Sequence, residues 1–562
     1  MNGTTDPALA AVHHQPDETM SEKKLEGETL PPTTTSDIEG ATTRKGSQDA
    51  LALLEKIRAN DDAHPIRWPL WKKWSITITY CLLQMFVTLT STTFVSIEFL
   101  VEEKWGTGPQ VTTLGQSMFI IGTAVGPAFL GPLSDIGGRK WVYVGAIFLY
   151  AILNIGTALA DNFPMLVIFC FLIGVAGSVA LNNVAGTISD LFGDADNAAQ
   201  PMALFVLSAN FGPSLGSPIG EWIAENPSLG WRWSTFTFTS QIPASAQPSP
   251  AQPSPAPSPD ACMQQQKLTF TFSPKVFYIN IIIGGAFAFI LCFVPETLPR
   301  VVISRAVKRR GSVDQNAVDI ALGSSKLSVM QEFKFVTTMA LRIMFTEPIV
   351  ISLGLYNGFA YGLLFLYLDG VFDVFVFNNG LSYIGADLTY LNFCVGVTVT
   401  FCFVPVQTYL FRRDRLKHGY HRPEARFLTS LVGVWGFPIS LLWFAFTCDG
   451  SVSFWSPVVA GAVLGFCDPL LWLAMLNYIT DSYPNVAASA IAAFLIPSFL
   501  IAAALAHAGV AMFANMNTKW AFATLGFVSF GLVALVYVLF FFGPRLRRYS
   551  KLARTFEQEK VR

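Results

Sequence analysis

The chain has 562 residues, of which 52% are hydrophobic and only 13% charged, about half the charged share of a soluble globular protein. Its 37 basic residues balance 38 acidic ones, so no surplus of either sign points to nucleic acid. Disordered, collagenous, small disulfide-scaffold and multidomain soluble classes are excluded, and an integral membrane protein of many spans is predicted.

Residues 1–70 are polar, with no early apolar core of the kind a secretory signal needs, and read as a disordered tail. Apolar runs long enough to cross ~30 Å of hydrocarbon then recur. They lie near 75–97, 112–133, 141–160, 164–186, 201–223 and 277–298, and again near 346–369, 385–410, 428–447, 457–479, 486–513 and 520–542. The expected fold is all-α and membrane-embedded, with twelve transmembrane helices in two pseudo-symmetric six-helix bundles. Segment 71–234 carries spans 1–5 and 277–298 carries span 6. Segment 346–543 carries spans 7–12, and 544–562 is a basic tail.

Two segments interrupt the count. Residues 235–276 include a Pro/Ser/Ala/Gln run that cannot cross a membrane and reads as a flexible extracytoplasmic loop. Residues 299–345 are basic and polar and form the central loop between the sextets. With both termini inside, all of the basic residues but Lys104, Arg232, Lys267, Lys275 and Lys519 fall on the cytoplasmic side. That asymmetry predicts cytoplasmic termini. Ile188-Ser189-Asp190 closes span 4 and Ile479-Thr480-Asp481 closes span 10. The match supports a duplicated six-helix unit, the geometry of an alternating-access carrier.

Six cysteines (Cys81, Cys170, Cys292, Cys394, Cys402 and Cys467) sit in apolar runs and read as small hydrophobes. Cys262 and Cys448 lie outside them and are the one pair open to a disulfide. Six scattered histidines supply no metal cluster, and no phosphate-binding loop of the G-x-x-x-x-G-K-[ST] type is present. Neither a metal, a cofactor nor ATP drive is expected, and the chain does not read as an enzyme. A non-transporting membrane sensor is the alternative from another class, but the tails are too short and polar for a folded sensor domain.

After span 2 the chain carries Gly131, Asp135, Gly138, Arg139 and Lys140. Glycines allow a tight turn, and the charges cluster at one face; a merely topogenic loop explains them equally well. Span 5 carries Ser208, Gly212, Pro213, Gly216, Pro218 and Gly220. The small residues stand four apart and form a face on which helices approach closely. The two prolines remove backbone bonds and permit bending.

The first spacing resembles the signature G-x-x-x-D-R-x-G-R-[K/R] of the major facilitator superfamily, with Ile136 in place of the first arginine. The second resembles the G-x-x-x-G-P-x-x-G-G motif of that superfamily's proton-driven exporters, with Ser217 at the last glycine. Ala176-Gly177-Ser178, Asn182-Asn183, Trp231-Arg232-Trp233, Pro295-Glu296-Thr297, Glu347-Pro348, the stretch His421–Arg426 and Asn477-Tyr478 extend the likeness. Together they resemble the fungal twelve-span drug:proton antiporters, over roughly residues 70–545 apart from 235–276. The resemblance implies efflux of small organic compounds, neutral or cationic amphiphiles, with protons as coupling ion. It also implies a monomer at the plasma membrane rather than the vacuole. Polyamine export, organic-acid export and proton-independent facilitation stay open. The loop Gly131–Lys140 would latch the halves, with Asp135 near the start of helix 11.

Two departures stand out. The family has an arginine in span 4, tied to proton coupling, where this chain has Cys170. The insertion 235–276 also has no counterpart: removing it joins Trp233-Ser234 to Phe277 as in the family, which suggests a retained intron, with a real variable loop as the alternative.

Ionisable groups at membrane depth are costly and usually face a cavity. Asp369, at the end of span 7, matches a family carboxylate; Asp468 lies inside span 10; Glu98 and Glu221 are at span ends. Tyr356, Asn357 and Phe359 in span 7 are candidates to line an amphiphile site, with Asn183 and Asn477 on the pathway. Packing is the alternative for the aromatics. His507 reads as a neutral ring bonded to a neighbouring helix.

Overall fold

The computed structural model describes residues 64–193, 195–225, 275–310, 329–419, 422–483 and 487–549. The first 63 residues, Arg232, the Pro/Ser run with Cys262 and Lys267, His421 and the last 13 residues lie outside the described residues. All regular structure among the described residues is helical.

Ten helices are long and apolar enough to cross a membrane by length and composition. They are α1 (Leu70–Trp105), α2 (Pro109–Gly137), α3 (Arg139–Ala158), α4 (Phe163–Phe192), α7 (Pro348–Asn378), α8 (Ile384–His418), α9 (Ser430–Thr447), α10 (Trp455–Ser482), α11 (Ala487–Asn515) and α12 (Thr518–Tyr549). Two more complete the sextets. Helix α6 (Lys275–Phe293) is apolar but short. Helix α5 (Ala195–Glu225) is long but diluted by Asn, Ser, Gly and Pro, because much of it faces protein rather than lipid.

Local chemistry sets the helix ends. Asn162 caps α4 by accepting from the Met165 amide at 2.9 Å. Gly193 (φ 68°) ends α4 and Gly419 (φ 74°) ends α8, backbone conformations that favour glycine.

The two halves repeat the same pairings. Helix α1 packs on α5, α2 on α4 and α3 on α6; in the second half α7 packs on α11, α8 on α10 and α9 on α12. The seam between halves uses α2 against α11 and α5 against α8, again a symmetric pair. Glycines let these pairs close up. In α2 and α4, Gly122 stands against the Phe171 carbonyl and Gly174 against the Phe119 carbonyl. In α7, Gly354, Gly358 and Gly362 stand against Pro497, Ile501 and Leu505 of α11.

The central segment expected as a loop holds two helices, Pro299–Arg310 and Val329–Thr346. The second is amphipathic and lies under α2 and α11, with Phe333 stacked on Phe129 (centroids 6.1 Å apart). Its charged residues dilute the apolar signal along the sequence, although one face is buried. Cys448 is a buried free thiol whose Sγ donates to the Ala445 carbonyl.

Candidate functional site

At the basic face, Gly138 turns the chain at φ 94°, and the Glu296 carboxylate sits where its Cβ would otherwise project. Glu296 accepts from the Arg139 amide at 3.0 Å and the Lys140 amide at 3.3 Å, capping the start of α3. Arg139, only 6% exposed, donates from Nε to Asp190 at 2.5 Å and lies 3.4 Å from Asp135. Lys140 Nζ donates to the Cys292 carbonyl at 2.7 Å. These contacts bind α2, α3, α4 and α6 into one unit.

The second half repeats the device. Arg426 donates from Nε to Asp481 at 2.8 Å and stacks its guanidinium 3.7 Å above the Phe411 ring. Fully buried Glu424 takes Arg547 of α12 at 3.0 Å. Asp135 also borders a narrow space lined by Gly131 and Asn182 of the first half and Ser489 and Ala492 of α11. The loop carboxylate therefore faces the opening turns of α11 across the seam.

The small-residue face of α5 lies against α1. A Cβ on Gly212 would meet Thr88 Oγ1 at 1.9 Å, and one on Gly216 would meet Thr92 Oγ1 at 2.1 Å and the Leu89 carbonyl at 2.4 Å. A Cβ on Gly220 would meet Ser96 Oγ at 2.8 Å. Thr92 donates to the Pro213 carbonyl at 2.9 Å and Ser96 to the Ser217 carbonyl at 2.9 Å. Ser217 then reaches across the seam and donates to Asp387 of α8 at 3.1 Å. The face opposite the basic one is also bridged by His507 of α11. Its Nε2 lies 2.9 Å from Ser117 Oγ, and its carbonyl accepts from Gln110 at 3.2 Å.

Midway through the seam is a polar cavity lined by Asn210 of α5, Asn357 and Tyr361 of α7, Asp468 and Trp472 of α10, and Phe499 of α11. Asp468 precedes Pro469, and Trp472 stands one turn further on the same face of α10. Phe205 of α5 packs on Trp472 with ring centroids 5.9 Å apart, so both halves build the wall.

Residues 77–240 match the family model of the Major Facilitator Superfamily. An uncharacterized transporter of Schizosaccharomyces pombe is 45% identical, over 93% of this chain and 88% of that protein. The vitamin B6 transporter of the same organism is 40% identical, over 91% of this chain and 88% of its own length. This chain belongs to the major facilitator superfamily. A citrinin biosynthesis cluster MFS transporter of Monascus ruber is 28% identical over 92% of this chain and 96% of its own length. The proton:xylose symporter XylE, solved with 6-bromo-6-deoxy-D-glucose, covers 83% of this chain and 95% of its own with a TM-score of 0.53. At 15% identity that likeness speaks to the fold alone. The chain is thus a transporter of small molecules and not an enzyme.

Within this transporter the predicted site residues separate by level. Asn357 and Asp468 meet in the seam cavity. Tyr356 turns into the second half, 1% exposed, against Phe437. Phe359 packs on the core rather than the cavity. The cavity face of α7 is set by Asn357 and Tyr361, four apart, and not by Tyr356 and Phe359. Asp369 lies against Gly509 of α11, away from Asp468. Asn183 is buried and accepts from Asn182, beside the Asp135 space. Asn477 is nine residues along α10 from Asp468, about 13 Å by helical rise. Trp472 went unnoticed in the sequence; its only signal there was the four-residue spacing from Asp468.

Proposed function

We propose that this chain is a secondary active efflux transporter of small organic compounds, neutral or cationic amphiphiles, working by proton antiport. The observation that carries this reading is the seam cavity, where Asp468 shares a wall with Asn210, Asn357, Tyr361 and Trp472. A carboxylate at depth needs a counter-charge, and a proton or a cationic substrate supplies one. Aromatic walls suit an amphiphile and attract cations. Competition of the two for Asp468 would couple their movements in opposite directions. The packing motif on α5 favours export over import. Both termini would lie in the cytoplasm, as the basic face suggests, and the resemblance to the drug:proton antiporters favours the plasma membrane.

A second reading takes vitamin B6, a hydroxylated pyridine, as the substrate. It is favoured by the 40% identity to a vitamin B6 transporter, well above the 28% to the citrinin-cluster transporter. Reconstituted vesicles separate the two. The first reading predicts an amphiphile moving against an imposed proton flow, and the second predicts that pyridoxine moves and competes with it. Rates that ignore the gradient would overturn proton coupling in either reading.

A further inference from the structure

A second internal space lies wholly within the first half, between α1, α2, α3, α4 and α6. Asn154, Cys170 and Asn280 line it together with Thr90, Ser91 and Phe119. Its lining holds no charged side chain among the described residues. Asn154 is fully buried and donates its amide to the Tyr150 carbonyl at 2.8 Å, which leaves Oδ1 with no hydrogen-bond partner. Asn280 is 3% exposed and its Nδ2 has none either. Buried amide groups rarely stay unpaired, so this space is built for a polar occupant.

The two sites flank a common third space. A middle space shares Ser91 and Phe119 with the first-half pocket and Leu181, Tyr361 and Phe499 with the Asp468 cavity. All three are of water size in this conformation, so a ligand spanning them requires the halves to part. Rocking of one half against the other opens the middle space and the Asp468 cavity, which lie at the seam, while the first-half pocket stays sized for a single hydroxyl.

We infer that the binding site is bipartite, with Asp468 taking a basic end of the substrate and the Asn154–Asn280 pocket taking an uncharged, hydroxyl-bearing end. A hydroxyl both donates and accepts, which matches one open acceptor on Asn154 and one open donor on Asn280. A charged group there would find no counter-ion. Phe119, Tyr361 and Phe499 would hold the apolar middle. The inference rests on the small-molecule transport reading and narrows it to hydroxylated organic bases.

The test uses two pairs of probes that differ by one hydroxyl: tyramine with phenethylamine, and serotonin with tryptamine. Apparent affinities are measured by transport into vesicles carrying the full chain. The unmutated protein should prefer the hydroxylated member of each pair. Asn280→Ala and Asn154→Ala should each cut that preference about 5-fold, leaving the deoxy probes unchanged. Should those variants fail to fold, Asn154→Ser and Asn280→Ser, which keep a polar group but draw it back from the pocket, give the second readout. They should lower the hydroxyl preference in the same direction. Transported probes with an unaltered preference in every folded variant would mean the pocket holds only water, and the bipartite site would fall alone. If none of the four is bound or moved, the transport reading for such bases falls and takes the bipartite site with it.

Discussion

Arg426 donates from Nε to Asp481 at 2.8 Å, and Arg139 meets Asp190 in the same way at the matching place in the first half. Each pair ties the loop after one helix to the end of another within its own half.

Removing one partner of such a pair takes away the close counter-charge of a buried group. Arg426→Ala leaves Asp481 only 11% exposed and removes the guanidinium from the Phe411 face. A loss of about 3 kcal/mol is expected. Thermal unfolding in detergent should show it, and Arg426→Ala with Asp481→Ala should recover part of the loss. Equal instability of the single and double variants would place the effect in packing instead.

Asp135→Asn should behave differently. Asp135 is a third of the way exposed and is the more distant of the two carboxylates on Arg139, at 3.4 Å. Its loss should cost at most about 1 kcal/mol, since Asp190 still holds Arg139. Transport should fall while surface expression stays near normal, because the change acts across the seam at Ser489 and Ala492. Unchanged transport by a correctly localised variant would leave the loop a topogenic role only.

Gly216→Ala tests the α1–α5 contact. The new methyl carbon would stand 2.4 Å from the Leu89 carbonyl, a backbone atom that cannot rotate away. Removing the Thr92 hydroxyl therefore does not rescue it. Overpacking of this kind costs about 1–3 kcal/mol, and the helices must separate. Transport should drop more steeply than for Gly285→Ala, where nothing lies within 4 Å of the added carbon.

Asp468→Asn should abolish the response of transport to an imposed pH gradient while leaving passive exchange of a neutral substrate. Asp369→Asn is the comparison, since Asp369 stands against Gly509 and not in the Asp468 cavity. A gradient response that persists in Asp468→Asn and disappears in Asp369→Asn would move the coupling site to the end of α7.

Cys170→Arg restores the residue type that the antiporter family carries in span 4. Among the described residues no carboxylate lines the pocket that the new guanidinium would enter. A buried, unpaired cation costs several kcal/mol, so expression should fall sharply and proton coupling should not improve. A well-folded variant with stronger coupling would show that the pocket accepts charge, and would contradict an uncharged occupant there.

The apolar spans, ten of which are long and apolar enough to cross a membrane, and the correspondence of Asp190 with Asp481 were legible in the sequence. Span detection needs only local composition, because lipid requires a long apolar run whatever its neighbours are. The two glycine motifs were legible for a similar reason: a close backbone approach tolerates few residue types, and the glycines stand four apart on one helix face. Tertiary structure alone decided which side chains meet. Asp468 and Asn357 share a cavity with Asn210 of the other half, while Tyr356, the residue next to Asn357, turns into the core. One residue along a helix is about 100° of rotation, and nothing local says which way a span is turned. The helix Val329–Thr346 was hidden for the opposite reason, since its charges mask the face buried beneath α2 and α11. Glu296 gained its role only in three dimensions, where a carboxylate 157 positions from Arg139 in sequence caps the helix that Arg139 begins.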